Sequence, residues 1–108
     1  KTTKDISLIK HYLKTHYREQ ISLQDLADLT HLSRFYISHS FKKEMNQTPM
    51  EYLTDIRIEE SKVLLSTTNY SMSQIAAIVG FSTQAYFSKQ FKQKIGMTPL
   101  AYRKSQLE

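Results

Sequence analysis

The chain has 108 residues, with 15 Lys and Arg against 10 Asp and Glu, and no cysteine. That length allows one compact domain or two very small ones, and the missing cysteine excludes disulfides, thiolate zinc sites and thiol nucleophiles. The formal charge of +5 is unevenly spread: no acidic residue lies between Glu60 and Glu108, a stretch that holds Lys62, Lys89, Lys92, Lys94, Arg103 and Lys104. A basic C-terminal half fits a polyanion partner such as nucleic acid.

Glycine occurs only at Gly80 and Gly96 and proline only at Pro49 and Pro99, and no strand-like alternation bounded by turns is present. The expected fold class is therefore all-α. The longest apolar run, Ile75 to Phe81, is far short of the roughly 18 residues a membrane span needs. The N-terminus has no signal-peptide pattern, so no membrane partner is expected and the expected location is cytoplasmic.

In chain order, Ile6, Ile9 and Leu13 at helical spacing predict a first helix over about Asp5 to Tyr17, packing as a lid on the first helical unit. Ser22 with Asp25 forms a capping box, in which hydroxyl and carboxylate satisfy each other's orphan amides at a helix start. Ser33 reads as a further N-cap. Thr48-Pro49, with Glu51 completing another box, opens a long middle helix to about Leu65. The same signals then return as Ser71 with Gln74, Ser82, and Thr98-Pro99. Seven helices are expected, as a first subdomain over 1–48, a linker helix over 49–66 and a second subdomain over 67–108.

The recurrence is an internal repeat. Ser22/Ser71, Ala27/Ala76 and Ser33/Ser82 coincide at an offset of 49, and Tyr36/Tyr86, Phe41/Phe91, Lys42/Lys92, Pro49/Pro99 and Tyr52/Tyr102 at 50. The slip places one extra residue at the start of the second copy's second helix. Each copy is a short helix, a tight turn and a second helix, which is a helix-turn-helix pattern. Small Ala27 and Ala76 allow close approach, and Leu26, Leu29 and Leu32 match Ile75, Ile78 and Phe81 as core. Gly80 suits a turn of positive φ, where the first copy has His31.

In the second helix of copy one, Ile37, Phe41 and Met45 form the core stripe, leaving Phe35, Ser38, His39 and Lys42 outward. Copy two buries Phe87, Phe91 and Ile95 and turns out Gln84, Ala85, Ser88, Lys89 and Lys92. A helix fits the DNA major groove, where Lys donates to guanine, Gln pairs with adenine, and Ala or Phe meets a thymine methyl. Arg34, Lys42, Lys43 and Lys92 are suited to phosphates, which position the protein without reading sequence. The histidines (His11, His16, His31, His39) show no metal-ligand spacing, and neither a catalytic triad nor a phosphate-cradling loop is visible. No cofactor and no enzymatic activity are expected. A rival reading is a helical protein-interaction module that docks on the transcription machinery.

Five motifs occur in order: ISLQDLA, LSRFYISHSFKKEMNQTP, RIEESKVLL, IAAIVGFSTQAYFSKQFKQKIGMTP and AYR. Over about Ile6 to Tyr102 they resemble the DNA-binding domain of AraC/XylS-family transcription regulators. The resemblance implies two helix-turn-helix units joined by one long helix, each presenting a recognition helix to double-stranded DNA. Base-facing positions carried over from it are Phe35, Ser38 and His39 in the first unit and Gln84, Ala85, Ser88 and Lys89 in the second. Two departures stand out: His39 replaces a frequent arginine, and Ser61 replaces the small alanine usual in the linker helix. The resemblance also implies an upstream effector-sensing, receiver or oligomerisation domain, and RNA polymerase as a further partner. Some DNA-repair methyl acceptors carry this domain too, but with cysteine chemistry in segments this chain lacks.

Overall fold

Hydroxyl side chains set where the helices of this protein begin. The computed structural model describes residues 2–107, and its elements are α1 (Thr2–His16), α2 (Leu23–Thr30), α3 (Arg34–Met45), α4 (Pro49–Thr67), α5 (Met72–Ile78), α6 (Gln84–Ile95) and α7 (Pro99–Ser105). All seven are helices, with no strand among the described residues. α1 starts before the expected Asp5, and α4 runs two residues past Leu65.

The capping boxes at Ser22 and Ser71 form as read: each hydroxyl accepts from the amide three residues on, and Asp25 or Gln74 accepts from the serine's own amide. At α4, Thr48 N–H donates to Glu51 Oε1 at 2.8 Å while Glu51 N–H donates to Thr48 Oγ1 at 3.1 Å. Ser33 caps α3 and Thr98 caps α7.

One expected cap is corrected. α6 is capped by Thr83, whose hydroxyl accepts from Tyr86 N–H, and not by Ser82. The equivalent of Ser33 is thus Thr83, and the extra residue sits in the turn before α6 rather than in the helix. The hydrogen bonds place it: Leu32 N–H donates to Ala27 O and Phe81 N–H to Ala76 O, still in register at 49, so Ser82 is the insertion. Thr83→Ala is expected to lower unfolding free energy by about 0.5–2 kcal/mol, and Ser82→Ala by less than about 0.5 kcal/mol. Urea titrations of the two variants check the assignment.

The turns repeat in kind. His31, with φ 59°, and Gly80, with φ 102°, occupy the left-handed region at matching points of the two helix-turn-helix units. Asn46 and Gly96 do the same after α3 and α6, each donating its N–H to the fourth residue back, Lys42 O or Lys92 O.

The chain divides into two compact units, 1–53 and 54–108, with the division inside α4. In the first, α1 packs on α2 and α3, and Ile6, Ile9, Leu13, Leu26, Ile37, Phe41 and Leu53 are buried. In the second, Ile58, Leu65, Ile75, Val79, Phe87 and Phe91 are buried. The repeat therefore extends further than sequence identity reveals. Ile6, Ile9 and Leu13 of α1 correspond in spacing to Ile58, Ser61 and Leu65 of α4, all six buried, so α4 does for the second unit what α1 does for the first. Buried Ser61, in place of the alanine usual in the family the sequence resembles, satisfies its hydroxyl by donating to Ile58 O at 2.6 Å. Other expected core positions are looser: Leu29, Leu32, Met45, Ile78 and Ile95 are half-buried. Met45 and Ile95 end their helices beside the left-handed caps, at the rim of each unit.

Candidate nucleic-acid interface

α3 and α6 are matched position for position. Both run 12 residues from a hydroxyl N-cap to a left-handed C-cap, so position 34 corresponds to 84, 35 to 85, 39 to 89 and 42 to 92. Each is held by a buried pair at the same two positions, Ile37 and Phe41 or Phe87 and Phe91. The rings of Phe41 and Phe91 meet Tyr52 and Tyr102 edge-on, both at 5.6 Å. This anchoring dictates which side of each helix faces solvent.

On that side the structure brings the sequence-derived candidates together in two sets. In the first unit Arg34, Phe35, His39, Lys42 and Lys43 are exposed; in the second, Gln84, Ala85, Lys89 and Lys92 are. Ser38 and Ser88 are half-buried at the edge of each face. Phe35 is 79% exposed and does not fold back over the core. Its ring lies parallel to that of His39, with centroids 5.8 Å apart and an interplanar angle of 14°, as expected for an i, i+4 pair on one helix face. The two rings form an exposed apolar and polar edge one turn long.

Some cations have other employment. Arg103 donates from Nε to Leu65 O at 2.9 Å, closing the C-terminal end of α4, and Lys62 pairs with Glu59 at 3.3 Å. Lys94 pairs with Asp55 at 2.6 Å. Lys89 and Lys92 are thus the exposed cations of α6 outside any ion pair among the described residues.

Sequence reading gave no role to Tyr36 and Tyr86. Both are exposed, by 43% and 48%, at the third position of their helices. Tyr36 lines a surface groove of about 490 Å³ with His39, Ser40, Lys43 and Glu44. The available signal was the identity of the two tyrosines across the repeat, which exposure now separates from a core role. Among the described residues no group of His, Asp or Glu is arranged to hold a metal ion, and no helix is long and apolar enough to cross a membrane.

Two buried-anchored helices that each follow a tight turn and present basic, polar outer faces define a double helix-turn-helix domain. Comparison with known proteins gives the same class. The family model for a helix-turn-helix domain, of the AraC type, matches residues 26–105. The chain is 41% identical over 93 residues to the uncharacterised helix-turn-helix transcriptional regulator YisR of Bacillus subtilis, covering 86% of this chain and 32% of that protein. The C-terminal domain of AraT, a response regulator from Geobacillus stearothermophilus, superposes with a TM-score of 0.89 at 31% identity, covering 94% of this chain and 84% of that one. The DNA-binding domain of AdpA, a global transcriptional factor solved with a target DNA, gives 0.87 at 25% identity, covering 93% and 90%. The chain belongs to the AraC-type helix-turn-helix family of DNA-binding domains of transcription regulators. It spans about a third of the length of curated relatives such as YisR.

Proposed function

We propose that this chain is the sequence-reading output domain of a bacterial transcription regulator, with α3 and α6 in successive major-groove segments of one asymmetric site. The observation that carries the proposal is the matched pair of outer faces: the same helix length, with hydroxyl N-caps, left-handed C-caps and buried anchors at equivalent positions, but different outward chemistry. Phe35, Ser38 and His39 suit thymine methyls and mixed donor and acceptor edges. Gln84, Ala85, Ser88 and Lys89 suit adenine, thymine methyl and guanine. Arg34, Lys42, Lys43 and Lys92 hold phosphates and set the register.

Such a domain acts by binding, without chemistry of its own, in the cytoplasm where the chromosome lies. The remainder of such a regulator supplies an effector-sensing or receiver domain, and RNA polymerase is the partner its binding serves. The DNA-reading proposal is tested by selection from a random duplex library. Because the two faces differ, the expected winner is bipartite and non-palindromic. Absence of enrichment, with weak binding that falls steeply with salt, would leave only phosphate attraction and refute two-headed readout.

A further inference from the structure

Within the second unit, two charged side chains of α4 reach the two ends of the α6 region. Asp55 Oδ1 lies 2.6 Å from Lys94 Nζ, in the last turn of α6. Two residues further along α4, the Arg57 guanidinium lies 5.9 Å from the centroid of the Phe81 ring, in the turn before α6. Phe81 in turn meets Tyr86, in the first turn of α6, edge-on at 5.9 Å. Arg57 is half-buried, and burial pulls its guanidinium below the ordinary value while nearby Tyr86 partly offsets this.

The buried pair Phe87 and Phe91 fixes how deeply α6 sits. A single apolar stripe still lets the helix rock about its buried contact line, which moves outward side chains, the farthest from that line, more than buried ones. The Asp55–Lys94 pair at the end of α6, and the Arg57–Phe81–Tyr86 series leading into its first turn, oppose that motion. Base readout is sensitive to it, because donor and acceptor must meet within a few tenths of an ångström.

We infer that Asp55 and Arg57 are positioning residues for α6: they touch no DNA, and they set the heading at which Gln84 and Lys89 meet the base edges. The inference rests on the reading of α6 as a recognition helix. It also makes a prediction of unusual sign. Asp55→Asn removes a negative charge and releases Lys94, so electrostatics alone would tighten DNA binding. Positioning requires specific binding to weaken instead.

The test measures affinity of the whole chain for the selected bipartite duplex and for the same duplex with the α6 block scrambled. For Asp55→Asn, specific affinity is expected to fall roughly fivefold, with affinity for the scrambled duplex unchanged or higher. The charge swap Asp55→Lys with Lys94→Glu is expected to restore most of the discrimination. Both side chains of the pair are 39% exposed, so thermal unfolding should barely move. Wild-type discrimination in Asp55→Asn, failure of the swap to restore it, or a loss that tracks Tm would each overturn the inference. Lys89→Ala in the same assay separates the premises. If it leaves discrimination at the α6 block intact, the reading of α6 itself is wrong; if it abolishes discrimination and Asp55→Asn does not, positioning alone is wrong.

Discussion

Phe91→Ala is expected to lower the unfolding free energy by about 3–5 kcal/mol, the range for removing a fully enclosed aromatic ring. Phe91 is 0% exposed and contacts Phe87 and Tyr102 edge-on at 5.8 and 5.6 Å. Its loss removes the transfer free energy of the ring and opens a cavity between α6 and α7 that rigid neighbours cannot fill. Small domains have total stabilities of about 5–15 kcal/mol, so the variant loses a large part of its reserve and should unfold at markedly lower urea and temperature. Urea titration followed by far-UV circular dichroism gives the number. A loss below about 1 kcal/mol would show that the aromatic cluster repacks.

Lys89→Ala and Lys92→Ala are expected to damage DNA binding in different ways. Lys89 sits in the middle of the outer face of α6, and its removal should cost about 1–3 kcal/mol of discrimination at one base pair. Lys92, one turn further on, should weaken binding to all sequences alike and lower the slope of log affinity against log salt by about one. Lys42→Ala and Lys43→Ala should change the slope less. Lys43 shares its groove with Glu44, whereas α6 carries no acidic residue at all. A slope change for Lys42→Ala or Lys43→Ala equal to that for Lys92→Ala would show that the two units contribute alike to the salt-sensitive affinity.

What could be read from the sequence was mostly local. Ser22, Ser33, Ser71, Thr48 and Thr98 mark helix starts because a cap is satisfied by amides at most three residues away. Ser82 misled because Ser82 and Thr83 are adjacent and equally able to cap. The choice falls to the core, since α6 must begin where Phe87 and Phe91 both point inward. The identity of Tyr36 and Tyr86 at an offset of 50 already favoured Thr83. The end of α4 was hidden for a different reason: Ser66, Thr67 and Thr68 look like a helix stop, yet each hydroxyl donates back to a carbonyl of the preceding turn.

The outer faces of α3 and α6 were legible because periodicity alone separates them from Ile37, Phe41, Phe87 and Phe91. The assignments of individual cations were not. Arg103 reaches a carbonyl 38 residues away, and Lys94 finds Asp55 on another helix. No local pattern reports such partners, so a count of positive charges overstated the basic surface of the second unit. Phe35 belongs with the legible positions: its side chain is of a type common in cores, yet the phase of α3 alone turns it outward, where it is 79% exposed.

The role of α4 bears on how this protein can be taken apart. Its first turns, with Leu53 buried and Tyr52 against Phe41, complete the first unit as α7 completes the second. Its later turns, with Ile58, Ser61 and Leu65 buried, begin the second unit as α1 begins the first. Two four-helix units are in this way written in seven helices, the last of one doubling as the first of the next. Where α4 is cut therefore decides what survives: a break between Leu53 and Thr54 leaves each product the buried residues of its own unit, whereas a break after Ile58 takes a core residue from the second. Fragments that each keep the whole of α4, for instance residues 1–67 and 49–108, overlap and carry its sequence twice.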